Sequence, residues 1–287
     1  MSNKIEKIQN YEQVSLHCYN RLPRKIDWES PEFKEYAFEL KLKNFHIGVF
    51  NRSHWDKCMA LRAMDQFGFL NNMITVINVG GGIDVINYYL SKHLKKIVSL
   101  DLYDDSWSTC PSDVLKNPDL YAPFEYNRSS LEFKKMDARQ ISLGDDTFSA
   151  AISIGPALNA IRDFEEIVQV LKKISKIVRS HGMLFMSLDI SLTELKRSKD
   201  DSEYYFSPNS IGKLFAETSF KPICEIDLSN PDFMQEETRE NRWLPPKKAW
   251  SSIGVIPSRI MGNFPFFRIR RPTIFPVFIV AKNEKLL

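Results

Sequence analysis

From residue 74 onward, short runs of consecutive apolar residues alternate with stretches in which apolar positions recur every three or four residues. The runs 74–79, 97–102, 131–136, 148–154 and 183–189 are each bounded by turn residues. Continuous apolarity over so few residues predicts parallel strands buried on both faces. Between the fourth and fifth runs, the segment 164–179 places Ile167, Val170, Leu171, Ile174, Ile177 and Val178 on one side of a helical period. Asp163 is positioned to cap that helix and Gly182 to stop it. Ser207 followed by Pro208 predicts a second helix over 207–220, with the proline in the first turn. Two further strands follow at 221–228 and 273–281. Pro276, inside the last, requires an edge position or a late start, because proline donates no ladder hydrogen bond.

Before this core, residues 1–70 read as a helical N-terminal extension or lid. Over 56–69, Cys58, Leu61, Met64 and Phe67 recur at three-residue steps, which predicts a helix closed by Gly68 and the Asn71-Asn72 pair. The core domain is then 71–287, interrupted between its last two strands by an insertion over 229–272 rich in Pro, Trp, Phe and Arg. The pattern predicts a Rossmann-like α/β fold, a seven-stranded doubly wound sheet.

Chemistry concentrates in 74–105: strand, Gly80-Gly81-Gly82, helix, second strand, then Asp101. Glycines allow a ligand to approach the backbone, the helix N-terminus is positively polarised, and an acidic residue at the end of the second strand is placed to accept from ribose hydroxyls. A dinucleotide fingerprint needs a third glycine where Val85 stands, which argues against a nicotinamide-dependent oxidoreductase.

Composition narrows the setting. The 287 residues carry a formal net charge of +3, too small to argue for nucleic acid. Four scattered cysteines without CxxC spacing suit free thiols in a reducing compartment. No apolar run approaches the ~20 residues needed to span a bilayer, and the polar N-terminus is unlike a signal peptide. A cytoplasmic protein is expected. The five histidines show no metal-ligand spacing, so no metal is expected.

Beyond Asp101, Met136-Asp137-Ala138 follows the third strand, and 145–155 leads through the fourth to Ile154-Gly155. With these segments the chain resembles the class I S-adenosylmethionine-dependent methyltransferases, especially the methyltransferase type 11 group of bacterial small-molecule and glycan enzymes. The resemblance covers about residues 70–228 and the last strand. It implies a last strand antiparallel to the others, and S-adenosyl-L-methionine as cofactor with S-adenosyl-L-homocysteine as product. By position, Gly80 and Gly82 would line the methionine end, Asp101 would bind the ribose and Leu102 would cover the adenine. Asp137 would accept from the adenine amine beside the Ala138 backbone, and Ile154 would lie near the sulfonium. Two positions depart from the pattern. Asn78 replaces the acidic residue before the glycine turn, and Asp84 replaces a small residue within it, where it is expected to face the cofactor ammonium.

A methyltransferase mainly positions its partners and removes a proton from the nucleophile. Relatives carry Glu-His just after the fourth strand, where this chain has Asn159-Ala160. Asn159 can orient a hydroxyl without acting as a base; His46, His54 and Asp189, the last at the end of the fifth strand, are the candidate bases. The expected activity is O-methylation of a small-molecule or sugar-type acceptor. The basic and aromatic insertion, with Arg239, Trp243, Trp250 and Arg268 among others, also suits an anionic glycan, a glycolipid or a membrane surface. A fold-retaining binding module is the alternative.

Overall fold

The structure is a computed structural model that describes residues 19–42, 51–155, 157–191, 203–229 and 274–285. In chain order the helices are α1 (Lys25–Glu29), α2 (Pro31–Glu39), α3 (Arg52–Gln66), α4 (Val85–Ser91), α5 (Phe164–Ile177) and α6 (Pro208–Ala216). The strands are β1 (Thr75–Val79), β2 (Lys96–Asp101), β3 (Leu131–Lys135), β4 (Phe148–Ser153), β5 (Val178–Ser191), β6 (Phe220–Pro222) and β7 (Ile274–Asn283). They form one seven-stranded sheet in the order β3-β2-β1-β4-β5-β7-β6. Strands β1 to β5 pair in parallel, and β7 is antiparallel to both β5 and β6. The expected doubly wound sheet with an antiparallel last strand is therefore present.

Alternation along the strands supplies both faces. Ile77, Val79, Leu184, Met186 and Leu188 pack with Ile167, Leu171 and Ile174 of α5 and with Leu214 of α6. Val76, Ile152 and Phe185 pack instead with Trp55, Cys58 and Met59 of α3 and with Tyr88 and Leu90 of α4. Trp55 and Met59 are fully buried, and each such side chain contributes about 1.5–3 kcal/mol relative to exposure. Trp55 is also oriented by a hydrogen bond from its indole Nε1 to Asp27 Oδ2 at 2.8 Å.

Several boundaries differ from the sequence expectation for local reasons. Helix α3 begins at Arg52, a turn earlier than its apolar stripe, because Asn51 Oδ1 accepts from His54 N at 3.2 Å. Helix α5 stops at Ile177, before Gly182, and β5 starts at once with Val178 beside Phe148. The register shift between Phe148 and Ala150 absorbs the residues that follow, with His181 at φ +62°. The expected strand 221–228 reduces to Phe220–Pro222. Among the described residues, that short β6 pairs only with Ala281–Asn283, so at Pro276 the β7 strand has β5 as its single ladder neighbour. The proline thus sits at a locally free edge, as its missing donor requires. The insertion expected over 229–272 lies, beyond Ser229, outside the described residues, as does His46.

Candidate active site at the carboxyl edge of the sheet

The strand order reverses between β1 and β4. In open α/β sheets, ligands bind outside the carboxyl ends of the strands at such a switch point. The chain leaves β1 through Gly80 (φ +71°) and Gly82 (φ +43°), both in the left-handed region. A methyl group on Gly82 would run into the Thr109 carbonyl oxygen, and one on Gly80 into the Ala157 side chain. The loop is thus hemmed in from two sides, and Thr109 O also accepts from Ile83 N at 2.8 Å.

A buried polar network holds the loop from below. Asn87 Nδ2 donates to Gly81 O (3.0 Å), Gly82 O (3.1 Å) and Ser99 Oγ (3.1 Å). Tyr103 OH donates to Gly82 O at 3.0 Å and lies 2.9 Å from Ser99 Oγ. Those carbonyls fix the orientation of the Asn87 amide, so its Oδ1 must face Asn78, which presents Nδ2 at 2.8 Å. Asn78 Oδ1 is left buried without a donor. An orphaned acceptor directly beneath a glycine loop is the kind of group that an ammonium or hydroxyl of a ligand satisfies.

Asp101 closes the loop from the β2 side. Its Oδ2 accepts from Gly82 N at 2.9 Å and its Oδ1 from Leu102 N at 2.8 Å. Each oxygen keeps lone-pair capacity for a hydroxyl. Burial and this carboxylate together push the Cys110 thiol up to about 12. Leu102 is 39 % exposed beside it. Asp137 N-caps a single 3-10 turn containing Ala138, with Oδ1 accepting from Arg139 N at 2.8 Å. The Arg139 guanidinium closes onto the same carboxylate, at 2.7 Å from Nη2 to Oδ2, and holds it below the usual carboxylate range. Ile154 is buried just past β4.

The sites expected to carry chemistry sit at the other half of the edge. Asp189, near the end of β5, is ion-paired with Arg52 Nη1. Arg52 Nε binds Asp56 Oδ2 at 3.2 Å and Nη2 donates to Gly155 O at 3.1 Å, so one guanidinium ties α3 to β5 and to the turn after β4. Burial would lower the Arg52 pKa, but Asp56 and Asp189 hold it raised. Asp56 is fully buried, which raises its pKa against the opposing pull of Arg52 and of a hydrogen bond from Ser187; the Oδ1 atom itself has no partner among the described residues. Lys57, the next residue, reaches Asp84 Oδ2 at 2.9 Å, and Asp84 Oδ1 accepts from Ile86 N at 3.0 Å to cap α4. The carboxylate expected to face a cofactor ammonium is therefore shared between a lysine and a helix cap. His54 is half-buried, and burial with the nearby Lys57 charge lowers its pKa.

Asn159 is fully buried. Its Nδ2 donates to Tyr204 O at 2.6 Å, and its Oδ1 accepts from Asp189 N at 3.1 Å. Both ends of the amide are engaged by backbone, so Asn159 is a strut under Asp189 rather than a group facing an acceptor. Sequence reasoning missed Arg52, Asp56 and Lys57. The i,i+4 spacing of Arg52 and Asp56 was visible, but charges in the first turns of a helix ordinarily read as a solvated face. Among the described residues, no group of three or more His, Cys, Asp or Glu side chains could hold a metal ion.

No family model matches the chain, and no curated protein matches it. Solved structures do. A protein from Galdieria sulphuraria assigned as a sarcosine dimethylglycine methyltransferase superposes with a TM-score of 0.55 at 12% identity, covering 90% of this chain and 100% of that one. The geranyl diphosphate C-methyltransferase of Streptomyces coelicolor A3(2) superposes with a TM-score of 0.56 at 11% identity, covering 97% of this chain and 91% of that one. That structure contains Mg2+, geranyl-S-thiolodiphosphate and S-adenosyl-L-homocysteine. The chain has the fold of the class I S-adenosylmethionine-dependent methyltransferases.

Proposed function

We propose that the protein is an S-adenosylmethionine-dependent methyltransferase that methylates an oxygen of a small-molecule or sugar-type acceptor. The observation that carries this reading is Asp101. It ends β2 beside the glycine loop, is anchored by Gly82 N, and keeps acceptor capacity on both oxygens. A ribose is the ligand group that such a carboxylate suits. The orphaned Asn78 Oδ1 supports a cationic or hydroxyl donor under the same loop.

In this reading Asn78, Gly80, Gly82, Asp84, Asp101, Leu102, Asp137, Ala138 and Ile154 hold the cofactor, which supplies an electrophilic methyl group when bound. Lys57 on Asp84 and Arg139 on Asp137 screen those two carboxylates, so Asp101 carries more of the binding than either. Asp189 and His54 take the proton-accepting roles. The lowered pKa of His54 keeps its imidazole neutral at neutral pH, and Asp189 is oriented by Arg52 and by the Asn159 strut. Trp107, 64 % exposed on the loop whose Thr109 covers Gly82, offers an aromatic face of the kind on which sugars stack.

Titration calorimetry with S-adenosylmethionine and S-adenosylhomocysteine tests the reading. Binding of both, weakened at least tenfold in Asp101→Asn and followed by release of the thioether product with an accepting sugar or alcohol, supports it. Absence of binding overturns it. Binding without turnover across acceptors favours the binding-module alternative, which the screened Asp84 and Asp137 also suit.

A further inference from the structure

Tyr103 has φ +41°, in the left-handed region, and its side chain is fully buried. That backbone conformation is uncommon for any residue but glycine and is an outlier for a bulky one, so it persists only where its surroundings enforce it. Here they do. Lys135 Nζ donates to the Tyr103 carbonyl oxygen at 3.2 Å, and Phe133 on β3 meets the ring edge-on with centroids 5.9 Å apart. The phenol OH lies 3.0 Å from Gly82 O, 2.9 Å from Ser99 Oγ and 3.3 Å from Ser99 O. Burial holds this phenol well above the usual tyrosine range, so it keeps its proton as a donor.

The strained turn brings a side chain back to the glycine loop only two residues after Asp101. Asp101 is oriented by two backbone donors, Gly82 N at 2.9 Å from Oδ2 and Leu102 N at 2.8 Å from Oδ1. Tyr103 adjoins both. Its backbone follows Leu102 directly, and its hydroxyl holds the carbonyl of Gly82, which has no side chain of its own to anchor it. Asn87 and Ser99 also reach Gly82 O, at 3.1 Å and 3.0 Å, but of the three only Tyr103 is bonded to Leu102.

We propose that Tyr103 is a positioning residue that holds both donors in place and thereby aims the Asp101 carboxylate at ribose hydroxyls, so that the site prefers a ribonucleoside to its 2′-deoxy form. This rests on the methyltransferase reading, in which Asp101 meets the ribose of the cofactor. The buried Tyr103 acts through Asp101 and does not touch the ligand.

The test is the ratio of dissociation constants for the 2′-deoxy analogue of S-adenosylhomocysteine and for S-adenosylhomocysteine itself, measured by calorimetry on the full chain. Both ligands are titrated into the same preparation of each variant, so a loss of folded protein cancels from the ratio. Tyr103→Phe keeps the ring and removes only the hydroxyl. It should lower the ratio about threefold, the scale of part of one hydrogen bond to a charged group. Tyr88→Phe is the control, because Tyr88 is also fully buried and packs on Phe133, but its hydroxyl donates to Pro118 O at 3.2 Å. There the ratio should hold. In an Asp101→Asn background, Tyr103→Phe should change the ratio no further. Lys135→Met, at an exposed position, removes the brace on the Tyr103 carbonyl and should lower the ratio in the same direction; it decides the matter if Tyr103→Phe does not fold. Binding of both ligands with the wild-type ratio kept in Tyr103→Phe overturns the proposal and leaves the methyltransferase reading standing. So does a wild-type ratio near one, an equal fall in Tyr88→Phe, or a further fall in the Asp101→Asn background. Failure of the wild type to bind either ligand overturns the methyltransferase reading, and this inference with it.

Discussion

Lys57 Nζ stands 2.9 Å from Asp84 Oδ2, fastening α3 to the residue that caps α4. The Lys57 side chain is 8% exposed and that of Asp84 30%, so the pair is shielded on one side. Removing one member of a shielded pair strands the other. Lys57→Met should lower stability by about 1–2 kcal/mol, less than for a fully buried pair. A urea-unfolding cycle with Asp84→Asn should show a coupling of about 1 kcal/mol. Additive effects would mean that the contact contributes nothing.

The glycine loop offers a comparison within one chain. Gly68 and Gly82 both have positive φ, but only Gly82 faces a neighbour in contact, the Thr109 carbonyl. Gly68→Ala should cost about 1 kcal/mol from backbone strain alone. Gly82→Ala should cost about 2–4 kcal/mol, because overpacking adds to the strain. Thermal melts of the two variants should differ accordingly, and equal melts would show that the 103–110 loop yields freely.

Asn159 should behave as a strut. Asn159→Ala removes the side-chain hydrogen bonds that Asn159 makes to Asp189 N and Tyr204 O, for a loss of about 2–3 kcal/mol. Asn159→Asp should not rescue it, because a carboxylate oxygen would replace the donor that now lies 2.6 Å from Tyr204 O. Cofactor affinity, corrected for the folded fraction, should be unchanged. A large fall in affinity in a fully folded variant would instead give Asn159 a direct binding role.

Burial raises Asp56, so the folded protein holds that proton more tightly than the unfolded chain. The sign follows from linkage: this contribution to stability is complete below the ordinary carboxylate pKa and is lost as pH rises through the folded value. Asparagine at this position cannot ionise. The melting temperature of Asp56→Asn minus that of the wild type should therefore increase from pH 4 to pH 8. A difference independent of pH would show that Asp56 stays ionised throughout.

Cys110 should resist alkylation. With its thiol pushed up to about 12 by burial and by Asp101, the thiolate fraction at pH 8 is about one in ten thousand. Peptide mapping after iodoacetamide should find the half-buried Cys224 labelled well before Cys110. Asp101→Asn removes the neighbouring charge and should speed labelling of Cys110. Rapid labelling in the wild type would show that the loop opens readily.

Much of the fold was legible because its signals are local. Apolar runs marked the strands, Asp163 and Ser207 capped the helices expected of them, and Pro276 marked an edge. The candidate site was legible where one segment carries it, as in Gly80, Gly82 and Asp101. Asp84 and Asn159 were visible as polar residues in telling positions, but their partners lie far along the chain, in Lys57 and in Asp189 and Tyr204. No spacing rule reports such a pairing.

The sequence by itself determined the alternation of strands and helices, the glycine turn and the acidic residue ending β2, because hydrophobic period, backbone conformation and capping act over a few residues. Only the tertiary structure decided that the buried Asp56 and Lys57 and the half-buried Arg52 are functional candidates rather than a solvated helical turn. Their burial depends on α3 packing across the carboxyl edge of a sheet whose β4 and β5 lie about a hundred residues further along, and charge is balanced in space, not along the chain.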